Sequence, residues 1–135
     1  MNQDSNLRPV YSVVAPVYNE AEGLSKFYSR VVKTMDTLSE PWELVLVNDG
    51  SRDNSLEVML DLHKQDSRVK LVSFARNFGH QIAVTAGMDY ARGDAVIIID
   101  SDLQDPPETI LPMIDQWKQG YQVVYAIRNQ RPGET

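Results

Sequence analysis

The feature that most constrains this chain is an alternation. Short β-branched runs are each followed by a segment whose apolar residues recur at three- and four-residue steps. Residues 11–15 make the first run, and Leu24, Phe27, Tyr28, Val31, Met35 and Leu38 then mark one stripe of an amphipathic helix. Residues 42–47 predict a second strand and 55–64 a second helix, with Leu56, Met59, Leu60 and His63 on one face. A third strand is predicted over 69–74 and a third helix over 82–91, closed by Gly93. Residues 95–100 are nearly all aliphatic, the pattern of a strand covered on both faces. A fourth helix is predicted over 106–119, closed by Gly120, and a last strand over 121–127.

This spacing implies right-handed βαβ units, and so an α/β fold with a mostly parallel sheet and helices on both faces. The helix starts agree. Asn19 with Glu22 and Asp105 with Glu108 have capping-box spacing, and Pro106 and Pro107 suit a first turn. Residues 1–10 read as a flexible leader and 11–135 as one domain. The polar stretch 128–135 reads as a loop leading onward, so the chain is expected to be the N-terminal part of a longer protein.

Composition excludes several functions. Lys and Arg number 13 against 19 Asp and Glu, a formal net charge of −6, which disfavours tracking a nucleic-acid backbone. Cysteine is absent, so thiolate nucleophiles and Cys-ligated metals are excluded. No apolar run approaches the roughly 20 residues that cross a bilayer, so the chain as given is expected to be soluble. The Gly-x-Gly-x-x-Gly, Gly-x-x-x-x-Gly-Lys and Gly-x-Ser-x-Gly patterns are missing, which argues against a dinucleotide dehydrogenase, a P-loop NTPase and an α/β-hydrolase.

In an open α/β sheet, ligands bind outside the carboxyl ends of the strands. Those ends are all polar here. In an extended segment Asp100, Asp102 and Gln104 share a face and offer three oxygens to a hard divalent ion, Mg²⁺ or Mn²⁺. The plainer alternative is a solvated turn. Asp49 can accept an N–H from uracil or guanine, or start an Asx turn. Asn48 and Asp53 are weaker candidates, since either suits a cap. Arg128 and Arg131, just past the last predicted strand, suit phosphate or are solvated loop arginines. His80 opens a helix and is equally a functional residue or a cap, whereas His63 is expected to pack. Glu134 has no role assignable from spacing.

Val13-Val14-Ala15-Pro16-Val17-Tyr18-Asn19-Glu20, Val47-Asn48-Asp49-Gly50-Ser51-Arg52-Asp53 and Asp100-Ser101-Asp102 resemble the sequence blocks of glycosyltransferase family 2, which has the GT-A fold. Arg76-Asn77-Phe78-Gly79-His80-Gln81 and Asp102-Leu103-Gln104-Asp105-Pro106-Pro107-Glu108 resemble its polyprenyl-phosphate group, the bactoprenol glucosyltransferases and dolichol-phosphate mannose synthases. The tail from Val123 through Arg128 and Arg131 is similar to the bactoprenol branch. The resemblance implies that Pro16, Tyr18, Glu20 and Asp49 contact the nucleotide of a nucleotide-sugar donor. It implies that Asp100, Asp102 and Gln104 hold Mg²⁺ or Mn²⁺, that Arg128 and Arg131 meet phosphate, and that Asp102 and Arg128 carry the catalysis. Two departures are Asn48, where many members carry Asp, and Ser101, where Ala is frequent and little effect is expected.

The implied activity is metal-dependent, inverting transfer of a hexose, with glucose favoured, from a UDP-sugar to polyprenyl (undecaprenyl) phosphate. The alternatives are a family 2 transferase with a sugar-hydroxyl acceptor and a non-catalytic nucleotide-sugar-binding module. The group adds acceptor-side structure and, in the bactoprenol branch, transmembrane helices. The parent is therefore expected at the cytoplasmic face of a membrane, held by segments beyond this chain. The piece alone is expected to bind donor, to transfer little sugar, and to expose apolar surface that favours self-association.

Overall fold

The computed structural model describes residues 8–120. The predicted strand 121–127, Arg128, Arg131, Glu134 and most of the predicted leader lie outside them. Residues 8–10, read from the sequence as leader, already belong to the fold. The Val10 amide donates to the Pro41 carbonyl at 2.8 Å, and Arg8 pairs with Asp94.

Four strands form one parallel sheet: β1 (Tyr11–Val17), β2 (Trp42–Asn48), β3 (Val69–Ser73) and β4 (Ala95–Ile98), in the order β3-β2-β1-β4. Helices α1 (Leu24–Met35), α2 (Ser55–Gln65), α3 (His80–Tyr90) and α4 (Ile110–Lys118) connect and cover them, with a 3₁₀ turn (Pro107–Thr109) leading into α4. Among the described residues no helix is long and apolar enough to cross a membrane.

Strand alternation sorts the core into two layers. Tyr11, Val13, Ala15 and Val17 face one side with Leu44 and Leu46, and pack with Phe27, Val31 and Met35 of α1, Met59 of α2 and Ile110 and Ile114 of α4. Val14, Val45 and Val47 face the other side with Ala83 of α3. Gly87 lets α3 lie close on the sheet, since a Cβ there would strike Val14. The α/β sheet with helices on both faces is thus present as expected, and the α1 stripe buries Leu24, Phe27, Val31 and Met35 as the periodicity requires.

Several local expectations fail for identifiable reasons. Helix α1 starts at Leu24 with Gly23 before it and no side-chain cap. Asn19 does not cap it: Asn19 sits at φ 54 and its Oδ1 accepts the Arg52 amide at 2.8 Å. No side-chain cap forms at the 3₁₀ turn either, and Glu108 instead pairs with Arg30 of α1. On α2 the buried positions are Ser55, Met59 and Leu62, while Leu60 and His63 point outward. His63 bonds the Val69 carbonyl rather than packing. Gly93 does not close α3, whose last residue is Tyr90; its amide instead donates to the Ser12 hydroxyl at 2.7 Å. Strand β4 is the outer strand of the described sheet and Val96 is 37% exposed, so it is not covered on both faces.

The amino end of the sheet is closed by charge pairing. Asp66 accepts from the Tyr28 hydroxyl at 2.6 Å and from the Arg68 guanidinium, which also reaches Asp36 and lies over the Trp42 ring.

Candidate functional site

The chain moves outward from β1 through β2 to β3, then returns to the opposite side of β1 as β4. Crevices form where strand order reverses in this way, here between β1 and β4. The Val10 and Val14 carbonyls accept the Ala95 and Ile99 amides, each at 3.0 Å. Two residues on, Pro16 has no N–H to offer the ladder. Its carbonyl accepts the Ser101 hydroxyl at 3.0 Å instead, and β4 parts from β1. Strand β1 runs on, paired with β2 as far as Val17 and Asn48.

The resulting cleft has a volume of about 360 Å³. The β1 end supplies Pro16, Val17, Tyr18 and Glu20, and the β2 end supplies Asp49. The loop before α3 adds Asn77, Gly79 and His80, and the β4 end adds Asp100, Ser101 and Asp102. Six residues singled out from sequence, Pro16, Tyr18, Glu20, Asp49, Asp100 and Asp102, thus meet in one place. Gln104 is not in the lining. A face shared with Asp100 and Asp102 requires an extended segment, but the chain bends there: Leu103 has φ 65 and the Gln104 amide turns back to Asp102 Oδ1 at 3.0 Å.

Asp49 is 4% exposed and already engaged. Its Oδ1 accepts the Phe78 amide at 2.8 Å, and its Oδ2 accepts the Asn77 side-chain amide at 3.1 Å and the Gly79 amide at 3.2 Å. A carboxylate has roughly four acceptor positions, so about one remains for a ligand. Gly50 helps hold the same loop. At φ 68, any Cβ it carried would strike the Arg76 and Asn77 backbone. Asn48 accepts the Ser51 amide and donates to Ser73, and so stays outside the cleft lining. Asn77 and Gly79 were missed as site residues in their own right; the Arg76-Asn77-Phe78-Gly79 motif was their signal. Ser101 is not neutral, because its buried hydroxyl ties the β4 end to β1.

The cleft is acidic. Glu20, Asp49, Asp100 and Asp102 line it, and among the described residues no lysine or arginine does. Burial raises the Glu20 pKa above the usual carboxylate value, and the charges of Asp102 and Asp53 push the same way. His80 Nε2 lies 3.1 Å from Asp100 Oδ1. Among the described residues no three His, Asp or Glu side chains form a ready-made metal cage. Two carboxylates on an open cleft, with Glu20 and Asp49 in the same lining, suit a hard cation that completes its shell with water and phosphate oxygens.

The family model for glycosyl transferase family 2 matches residues 12–135. The chain is 57% identical over 125 residues to the uncharacterized glycosyltransferase YkcC of Bacillus subtilis (strain 168), covering 93% of this chain and 39% of that protein. It is 44% identical over 121 residues to the undecaprenyl-phosphate 4-deoxy-4-formamido-L-arabinose transferase of Pseudomonas fluorescens (strain SBW25), covering 89% of this chain and 36% of that protein. The chain therefore spans less than two fifths of the length of these relatives. Among solved structures, the mannosyltransferase PcManGT from Pyrobaculum calidifontis, in complex with GDP-Man and Mn²⁺, superposes with a TM-score of 0.68 at 24% identity. That match covers 82% of this chain and 33% of the other, and shares the fold expected from the sequence.

Proposed function

The chain belongs to glycosyl transferase family 2, and from that membership we propose that its cleft binds the diphosphate and base of a nucleotide-sugar donor. The observation that carries this reading is the acidic cleft at the β1/β4 reversal, where Asp100 and Asp102 stand together with no lysine or arginine among the described lining residues. A diphosphate cannot enter such a cleft unless its charge is offset. Asp100 and Asp102 would hold Mg²⁺ or Mn²⁺, which when bound would neutralise the leaving diphosphate as a Lewis acid. Tyr18, 44% exposed beside Pro16, offers an aromatic face to the base, and Asp49 offers its remaining acceptor position. Arg128 and Arg131 are proposed to meet phosphate from beyond the described residues.

For the full protein we read the acceptor as polyprenyl phosphate. Support comes from the relative named for undecaprenyl phosphate, 44% identical here. One oxygen of the acceptor phosphate attacks the sugar C1 while the bond from C1 to the diphosphate oxygen breaks. The nucleoside diphosphate leaves with the bonding pair, and the anomeric centre inverts. A phosphate monoester is already anionic near neutral pH and needs no general base, which matches a cleft whose carboxylates are committed to binding. The donor is read as a UDP-hexose, with glucose first among sugars. Such an acceptor brings the full protein to a membrane surface.

Calorimetry with UDP, UDP-glucose, GDP and GDP-mannose, each in Mn²⁺, Mg²⁺ and EDTA, tests the reading. Saturable binding of a uridine ligand that disappears in EDTA is the expected result. Binding undiminished by EDTA overturns the metal assignment, and preference for guanosine ligands overturns the donor.

A further inference from the structure

His80 is the first residue of α3, and its Nε2 meets Asp100 Oδ1 at 3.1 Å. The two residues come from opposite walls. His80 follows the 77–79 loop that Asp49 fixes through three hydrogen bonds, and Asp100 follows the end of β4. Helix α3 is itself set firmly, with Ala83 and Val84 buried and Gly87 seated against Val14 and Val47. The His80 backbone thus has a fixed position relative to the sheet, while Asp100 sits beyond the last paired residue of β4. A carboxylate only accepts, so Nε2 carries the proton in this contact.

We propose that His80 is a positioning residue for cation binding: its Nε2–H holds the Asp100 carboxylate in the rotamer that, with Asp102, presents oxygens to a divalent ion. His80 is neither a ligand nor a proton carrier in this role. Its task is to tie the Asp100 carboxylate on the β4 wall to the start of α3 on the opposite wall. Outer partners that orient a ligating group typically change metal affinity by about 10- to 100-fold when removed. The inference rests on the assignment of Asp100 and Asp102 to the cation, and the experiment separates the two.

The test is Mn²⁺ binding to this chain, followed by the electron paramagnetic resonance signal of free Mn²⁺, on wild type, His80→Ala, His80→Gln, His80→Asn and Asp100→Ala. The His80 side chain is 64% exposed, so these variants are expected to fold, and thermal melts check it. His80→Ala is expected to weaken Mn²⁺ binding by about 10- to 100-fold. His80→Gln places an amide nitrogen at the Nε2 position and is expected to restore most of the affinity. His80→Asn places it at the Nδ1 position and is expected not to. Mn²⁺ affinity unchanged in His80→Ala but lost in Asp100→Ala overturns the proposal alone. His80→Gln as weak as His80→Ala overturns the hydrogen-bond role and points to imidazole as a ligand. Wild-type affinity in Asp100→Ala overturns the cation assignment itself.

Discussion

The Phe78 amide donates to Asp49 Oδ1 at 2.8 Å, which makes an acidic residue at the end of β2 the anchor of the loop that begins α3. The residue read from sequence as a reader of the base is therefore first a builder of the wall. Asp49→Ala leaves the Phe78 and Gly79 amides and the Asn77 side chain without this acceptor, at a cost of about 1–3 kcal/mol for an unsatisfied group. Urea unfolding is expected to show that loss, with nucleotide affinity falling in the same variant. Asp49→Asn keeps one acceptor oxygen and is expected to lose less stability than Asp49→Ala. If Asp49→Ala unfolds like wild type, the anchoring role is wrong.

Asp102 is exposed at the cleft, and its Oδ1 accepts the Gln104 amide in the turn that follows. Asp102→Ala is expected to abolish Mn²⁺-dependent nucleotide binding while leaving the melting temperature nearly unchanged. Calorimetry and a thermal melt on the same sample check both halves. A large drop in melting temperature would place Asp102 in the scaffold instead.

Gly50→Ala sets a Cβ against the Arg76 and Asn77 backbone at a position with φ 68. Neither the clash nor the left-handed backbone can be relieved by rotating a side chain. A loss of about 1–3 kcal/mol is expected from the overpacking. Because the 77–79 loop moves with it, nucleotide affinity is expected to fall as well, measured by the same titration.

Asp66 gives the acid response of the fold. Burial pushes its carboxyl up, but Arg68 and the Tyr28 hydroxyl outweigh burial and hold it below the ordinary value. A depressed folded pKa contributes stability that is fully present above the unfolded value of about 3.9, and is lost as pH falls through the folded value. Wild type is expected to be more stable than Asp66→Asn near neutral pH, and the gap is expected to narrow as pH falls from about 5 to about 2. Urea midpoints across that range check it. A gap that stays constant rules out titration of Asp66 as its source. On the alkaline side, burial first and then the bond to Asp66 raise Tyr28 to about 12. Its contribution is present below about 10, the unfolded value, and is lost as pH rises through about 12.

Much of the fold was legible because burial imposes a period. Leu24, Phe27, Val31 and Met35 fall on one stripe, and β1 and β2 are apolar enough to need cover on both faces. The strand-end rule pointed to Asp49, Asp100 and Asp102 in advance, and the resemblance to glycosyltransferase family 2 added Pro16, Tyr18 and Glu20. What escaped depended on backbone geometry. Leu103 adopts φ 65, and nothing in a leucine announces a left-handed turn, so the extended spacing that grouped Gln104 with Asp100 and Asp102 does not hold there. The partners of Asp49 include two main-chain amides, which every residue but proline possesses and no composition reveals. A run such as 95–98 reads alike whether it lies inside a sheet or at its border, so the exposure of Val96 was hidden.

Pro16 has a consequence for how such a site can change over time. The gap between β1 and β4 opens where one strand lacks an amide, and Ser101 takes up the carbonyl left behind. The width of the crevice is thus written into the main chain, independently of the bulk of the side chains around it. Lining residues that carry no wall contact can be exchanged to suit another sugar or another base without the opening collapsing. An amide-bearing residue at position 16 would let the ladder continue, narrowing the opening at its root. Diversification of substrates is then open at lining positions such as Tyr18, whose side chain holds no part of the scaffold, and closed at Pro16, Asp49 and Ser101, which build the room.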